Sequence, residues 1–258
     1  MRTGSIEKMS GHWLLAKIGK KVLRPGGKDL TLKMLELLAI NKKDLVTEFA
    51  PGLGFTAGKI MEYQPEAYTG IDADEEAVEF LKRKFSETKA VFQNDHAAQT
   101  RLNDNSQTKV LGEAMLTMQA DHRKSEIVKE AYRILKPGGL YAIHELALMP
   151  EALDESVKAH IQRELAEVIK VNARPLTPDE WKKILEKEGF SILNIETEPM
   201  HLLEPKRIIS DEGFLGFLNI AKNMVLHPGI RERVLRMKNI FTKYNKNLCA
   251  VIIIARKD

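Results

Sequence analysis

The chain of 258 residues has a single cysteine, no long apolar run and little net charge. Cys249 cannot close a disulfide within the chain, and in the apolar stretch 248–255 it reads as a small buried hydrophobe in a reducing compartment. No stretch approaches the roughly 18 apolar residues of a membrane span. The N-terminus shows no apolar signal core with a small-residue cleavage site, so a cytoplasmic protein is expected. The formal charge of +4 is spread thinly, with Lys and Arg interleaved with Asp and Glu as in 79–84 and 180–188. That alternation describes solvated helix faces rather than a nucleic-acid footprint, and no nucleic-acid partner is expected. No His, Cys, Asp or Glu set has metal-ligand spacing, so no metal is expected. Repeats, low-complexity segments and Pro/Ser-rich linkers are missing too; any second domain must be a cap prefixed onto or inserted into the first.

What is present is an alternation of strands and helices. Leu45-Val46-Thr47-Glu48-Phe49 reads as an apolar strand, Ala50-Pro51-Gly52-Leu53-Gly54 as a glycine turn, and 55–64 as a helix. Glycines let backbone approach a ligand closely, and a helix N-terminus offers it unpaired N–H groups. Purely local turn chemistry is the other reading of the same glycines. A second unit follows, Ala67 to Asp72 as strand and 74–85 as helix with Asp74 as N-cap. Strands are then read at 90–95, 109–113 and 140–145, the last after a helix over 125–135 stopped by Lys136-Pro137-Gly138-Gly139. This order predicts an α/β fold, a doubly wound and mostly parallel seven-stranded sheet with right-handed crossovers, whose ligand lies at the C-terminal ends of the strands. Four strands in succession end there on an acidic residue: Glu48, Asp72, Asp95 and Glu113. Four carboxylates would repel a nucleotide diphosphate and suit a cofactor with a positive centre and ribose hydroxyls.

The flanks supply the rest. Helices over 6–23 and 30–40, separated by Arg24-Pro25-Gly26-Gly27, are expected to pack on the sheet, with His12, Trp13 or Arg24 reaching into the cleft as their alternative role. A long helix over 151–171, a helix begun by Thr177 as N-cap with Pro178 after it, a sixth strand over 191–198 and a doubly buried last strand over 248–255 complete the core. Between those two strands, two helices broken at His227-Pro228-Gly229 form an insertion, read as a lid over the cleft or a homodimer contact. The expected division is 1–41 as N-terminal helical cap, 42–198 as cofactor-binding core, 199–246 as insertion and 247–258 as last strand.

The glycine turn, Asp72, Asn94-Asp95 and Arg133-Ile134-Leu135-Lys136-Pro137-Gly138-Gly139 resemble, in order and spacing, the class I S-adenosylmethionine-dependent methyltransferases. Within them the chain looks like the small-molecule branch that includes the ubiquinone/menaquinone-biosynthesis C-methyltransferases. The resemblance covers about 42–148 well. It implies S-adenosylmethionine as cofactor, with Glu48, Ala50, Pro51, Gly52 and Gly54 around the methionine portion and Glu113 nearby. Asp72, with Ala73 beside it, would take the ribose hydroxyls, and Asp95 would lie near the adenine amino group, flanked by Asn94 and His96. Two departures stand out. Ala50 occupies the place of a glycine, tolerable if its φ is negative, and no aspartate leads the fourth strand near Thr108.

Methyl transfer from a sulfonium needs alignment, and a base only where the acceptor must lose a proton. His144 and Glu113 are the first candidate catalytic residues, with Glu145, His201 and His227 behind them; a structural histidine is the other reading of His144. Met115, Met118, Phe214, Phe217 and Met224 are candidate lining for a small, partly apolar acceptor such as a quinone, phenol, thiol or lipid precursor. An RNA methyltransferase, a non-catalytic cofactor-binding protein and a NAD-dependent dehydrogenase, for which Gly52, Gly54 and Ala57 form an allowed glycine motif, are the alternatives.

Overall fold

The structure, a computed structural model, describes residues 9–258, with the side chain of His12 outside the described set. Residues 1–8 of the expected N-terminal cap therefore lie outside it as well. The strands are β1 (Leu45–Phe49), β2 (Ala67–Asp72), β3 (Val91–Asn94), β4 (Gln107–Glu113), β5 (Leu135–Leu148), β6 (Phe190–Pro199) and β7 (Leu248–Lys257). They form one sheet in the order β3-β2-β1-β4-β5-β7-β6. Strands β1 to β5 pair in parallel, and β7 runs antiparallel to both of its neighbours. The doubly wound, mostly parallel sheet expected from the strand–helix alternation is thus present, and it places the ends of β1 to β5 on one edge.

The helices are α1 (Gly11–Lys17), α2 (Gly27–Leu38), α3 (Phe55–Glu62), α4 (Glu75–Lys84), α5 (Asp121–Ile134), α6 (Glu155–Ile169), α7 (Pro178–Lys187), α8 (Pro205–Leu226) and α9 (Pro228–Lys243). One face of the sheet packs Val46, Leu111, Ala142 and Ile252 against α2, α3 and α4; the other packs Val110, Ile143 and Val251 against α5 and α7. A third core sits above the C-terminal end of β5 and the start of β7. Here Leu14 and Ile18 of α1, Leu165 of α6, Ile220 of α8 and Met237 of α9 meet Leu146, Leu148 and Leu248. Segments some 200 residues apart in sequence thereby share one apolar cap over the ligand edge of the sheet.

The helix expected over 6–23 is shorter. It ends at Lys17, and the chain then turns at Gly19, where φ is +98°. The cause lies across the fold: Lys20 is buried and its Nζ reaches Asp211 of α8 at 3.1 Å, which draws this segment out of helical register. The fifth strand also begins early. Leu135 already pairs with Gln107, the chain loops out over 136–139, and register resumes at Lys109 and Leu140. A Cβ on Gly139 would stand 2.8 Å from the Lys136 carbonyl oxygen, so this tight loop excludes any side chain there. Thr177 caps α7 with Pro178 in its first turn, as expected, and Glu180 completes a capping box.

The two glycines of the first turn serve different ends. Gly54 is the N-cap of α3 with φ +68°, and a Cβ there would stand 2.5 Å from Leu81 Cδ2 and 2.8 Å from Phe85. It allows α3 and α4 to close together. Gly52, with φ +55°, would direct a Cβ into open space, the nearest atom being the Ala50 carbonyl oxygen at 3.9 Å. Gly52 therefore faces open space, whereas Gly54 leaves room for the core. Gly54→Ala is expected to cost roughly 2 kcal/mol or more of stability, from positive φ and overpacking together, read as a lower urea midpoint.

Candidate active site

The strand ends meet where the resemblance places the cofactor, yet their charges are not the bare row of carboxylates expected. Glu48 is fully buried and accepts a 2.5 Å hydrogen bond from the Tyr68 hydroxyl. Tyr68 pairs across from Val46, so it projects on the same face as Glu48, two residues on. Burial pushes the Glu48 carboxyl up to about 8, against the pull of the Tyr68 hydrogen bond, so it is largely uncharged at neutral pH.

Glu113 is buried as well, inside a knot of polar side chains. Its Oε1 accepts from Thr31 at 2.6 Å and from His144 Nδ1 at 2.8 Å. Its Oε2 accepts from Thr56 and meets Arg24 Nη1 at 3.0 Å. Burial alone would raise this carboxyl, but Arg24, His144 and Thr31 together outweigh it and hold it at about 2. His144 is completely buried, and its Nε2 lies 2.6 Å from the Pro25 carbonyl oxygen. Both ring nitrogens of the imidazole are thus taken up, one by the Glu113 carboxylate and one by the Pro25 carbonyl. Arg24 also lies over the Phe55 ring, 5.1 Å from its centre, which ties the α1–α2 connection to the first turn of α3.

The remaining exits are simpler. Asp95 accepts from His96 N at 2.9 Å and from Arg101 Nε at 2.9 Å, closing the turn after β3, while His96 Nδ1 accepts from Ala98 N. Asn94 donates to the Asp72 carbonyl oxygen at 3.1 Å. Asp72 is half-buried, and its two oxygens each accept one backbone N–H, from Gly52 at 3.2 Å and Asp74 at 3.0 Å. Burial raises its pKa. Among the described residues no cation pairs with it, and each oxygen keeps acceptor capacity. Within β5, Glu145 is buried and accepts from the N–H groups of Met115, Leu116 and Thr117 and from the Thr117 hydroxyl, fixing the loop that follows β4.

Ala50 departs from the expected negative φ. Its φ is +53°, and Ala114, just past Glu113, has φ +52°. Both are left-handed turns made by a residue with a Cβ, at the exits of adjacent strands, each tied across to the next strand through Ala50 N to Ile71 O and Ala114 N to His144 O. Each costs on the order of 1 kcal/mol. Thr108, where an aspartate was missing, accepts from Leu45 N and donates to Asp44, so the neighbouring strand's aspartate supplies the carboxylate there.

Two cavities adjoin these groups. One of about 780 Å³ lies between Trp13, Ala16 and Lys17 of α1 and Leu53, Asp74 and Phe80 beside the glycine turn. The other, about 100 Å³, is lined by Leu15, Pro25, Ala114, Leu146, Leu202 and Met237, among others. Of the expected lining residues, Met118 borders this second cavity. Met115 and Met224 instead pack in the cores, and Phe214 is 62% exposed. Thr31, Thr56 and Tyr68 were not singled out from sequence. Their signal was a hydroxyl on an otherwise apolar face, which needs a buried partner.

The sheet order, with the reversed β7 between β5 and β6, is that of the Rossmann-like methyltransferase fold. Residues 47–143 match the family model described as a methyltransferase domain. The chain is 32% identical over 251 residues to an uncharacterized protein of Haemophilus influenzae, covering 96% of this chain and 98% of that one. The cyclopropane synthase MmaA2 from Mycobacterium tuberculosis superposes with a TM-score of 0.73 at 12% identity, over 99% of both chains. Phosphoethanolamine N-methyltransferase 2 of Haemonchus contortus, in complex with S-adenosyl-L-methionine, does so with a TM-score of 0.68 at 18% identity, over 96% of this chain and 56% of that one. Residues 47–143 thus carry a methyltransferase domain, and the protein is an S-adenosylmethionine-dependent methyltransferase. The residues present fit that cofactor: the space a Cβ would take at Gly52 is open, and Asp72 has acceptor capacity to spare.

Because the folded-state pKa of Glu48 is raised, its contribution to stability is full below the unfolded value near 4.5 and is lost as pH rises through about 8. Glu48→Gln keeps an acceptor for Tyr68 and removes that titration. Between pH 5.5 and 8 the wild type should lose about 3 kcal/mol more stability than the variant, read from urea denaturation at each pH.

Proposed function

We propose that the protein methylates a small, largely apolar acceptor whose reacting end sits in the 100 Å³ cavity beside Ala114 and Leu146. The position and chemistry of this cavity carry the reading. It opens at the C-terminal ends of β4 and β5, one residue past Glu113 and Glu145. The insertion closes it through Leu202, Met237 and Phe241, and α1 through Leu15. A cavity somewhat larger than this holds a benzene ring in an engineered protein core, so the space suits the reacting end of an acceptor rather than a whole charged one. The resemblance to the ubiquinone/menaquinone branch supports an acceptor such as a quinone, phenol, thiol or lipid precursor.

S-adenosylmethionine supplies a methyl group on a sulfonium, poised for in-line displacement. In this reading Gly52 and the first N–H groups of α3 face its methionine end, and Asp72 accepts from its ribose hydroxyls. Asn94, Asp95 and His96 form the turn against its base, with Ala73 beside Asp72. Glu48 is a neutral floor under this site. Glu113 and His144 act as positioning residues: their polar atoms are taken up by Arg24, Thr31, Thr56 and Pro25, and the knot holds the α1–α2 connection against the exits of β4 and β5. The named cavity residues carry no titratable side chain, so the acceptor atom arrives already nucleophilic, as a thiolate, a phenolate or an amine with a free lone pair. Apolar walls exclude water and leave alignment as the main contribution of the protein.

Asp72→Ala should weaken binding of S-adenosylhomocysteine by about 1.5–3 kcal/mol in calorimetry, the loss of a charge-assisted partner. Unchanged affinity would remove Asp72 from the cofactor site. For the acceptor, release of S-adenosylhomocysteine is measured against a panel of phenols, thiols, quinones and polar amines. An apolar member should be turned over, and Leu202→Trp should abolish that turnover with S-adenosylhomocysteine affinity intact. Turnover confined to highly charged acceptors, or undiminished in Leu202→Trp, would refute the pocket assignment.

A further inference from the structure

Helix α8 is apolar on two opposite sides, and only one of them is used. Its first turns end at Gly213, where φ is +75° and the helix kinks. Just before the kink Asp211 accepts from Lys20 Nζ and Lys28 N, and Glu212 accepts from Lys21 N and Val22 N. These bonds anchor α8 to the α1–α2 connection. Past the kink, Ile220 and Met224 face the apolar cap. The other side carries Phe214, Leu215, Leu218, Val225 and Leu226, exposed by 62, 81, 46, 68 and 59%. At 100° per residue these five and Lys222 fall within one third of the helix circumference, a stripe about 18 Å long. A helix apolar all round is ordinarily buried. Here the outer stripe lies bare, and contiguous exposed apolar surface of this kind marks an interaction site.

The charge of the two insertion helices points to what covers it. Residues 205–243 contain eight lysines and arginines against three carboxylates. All three carboxylates are already engaged: Asp211 and Glu212 inward, as above, and Glu232 with Arg236 at 2.6 Å. Lys206, Lys222 and Arg231 are exposed and form no ion pair among the described residues. A second copy of this face would bring like charges together, with Lys222 in the middle of the contact. An anionic lipid surface meets both features: it takes up the apolar side chains at the headgroup boundary, and Lys222 can extend its stem along them and place its ammonium among phosphates.

We infer that the stripe on α8 docks the enzyme on an anionic membrane surface. The same insertion supplies Leu202, Met237 and Phe241 to the apolar cavity, so docking brings that cavity to the phase in which apolar molecules dissolve. The surface is defined independently of the acceptor reading, and its test needs no turnover.

The full chain is sedimented with vesicles of phosphatidylcholine and of phosphatidylcholine mixed with phosphatidylglycerol. Binding is expected to the mixed vesicles, with little to phosphatidylcholine alone, and should fall as salt is raised. The double variant Phe214→Ser/Leu215→Ser should lose about tenfold or more in vesicle partition. Its circular dichroism and S-adenosylhomocysteine affinity should match wild type. Lys222→Glu, an exposed charge reversal that leaves the apolar side chains in place, should also weaken binding. No association with mixed vesicles at low salt, or equal association of wild type and both variants, overturns the proposal. So does a dimer by light scattering that the double variant dissociates, which would assign the stripe to a second copy of the chain.

Discussion

The buried Glu113 carboxylate is the point on which the ligand edge depends. Four donors from four places in the chain converge on it: Arg24 before α2, Thr31 in α2, Thr56 in α3 and His144 in β5. Removing a charge of this kind from water costs several kcal/mol unless every lone pair is answered, and here each oxygen has two partners. The arrangement is mutual, because the Arg24 guanidinium would be costly to bury without Glu113. The balance fixes where the N-terminal connection crosses the sheet. With it come the Phe55 contact at the glycine turn and the Pro25 wall of the small cavity. The third apolar core then holds α1 and the insertion over the same edge.

A sequence pattern marks positions, and tertiary partners set charges. Glu48, Asp72, Asp95 and Glu113 were legible as strand ends because apolar runs stop at each of them, and the sheet indeed brings those ends to one edge. Their ionisation was not legible. For Glu48 it depends on burial and on Tyr68, 20 residues away, and for Glu113 on Arg24 and His144 on either side of it. The expectation of four bare carboxylates fails for that reason, and a cleft with one unanswered carboxylate takes its place.

Backbone detail divides the same way. The Thr177 cap, the Asp74 cap and the break at 227–229 follow from local chemistry and stand as read. The short α1 does not, since its end is decided by Lys20 reaching Asp211 across 191 residues. Gly52 and Gly54 look alike in sequence and differ in what a side chain would strike. Ala50 was expected at negative φ because alanine prefers it, but the strand-exit turn and its bond to Ile71 O impose a left-handed backbone. The apolar residues of α8 have helical spacing on both sides, so their pattern could not say which side faces the cap.

Strand β7 is the only reversed member of the sheet among the described residues, and its direction has a consequence for the whole architecture. Pro199 at the end of β6 lies beside Cys249 at the start of β7, so the chain leaves and re-enters the sheet at one point, on the edge where the ligands gather. Closing a longer excursion there costs only about 0.6 kcal/mol for each doubling of its length. The segment between those strands can therefore be exchanged for another of different size and chemistry while the sheet and its cofactor floor stay as they are. The apolar cap over this edge becomes a replaceable part of the molecule, plugged in at a hairpin.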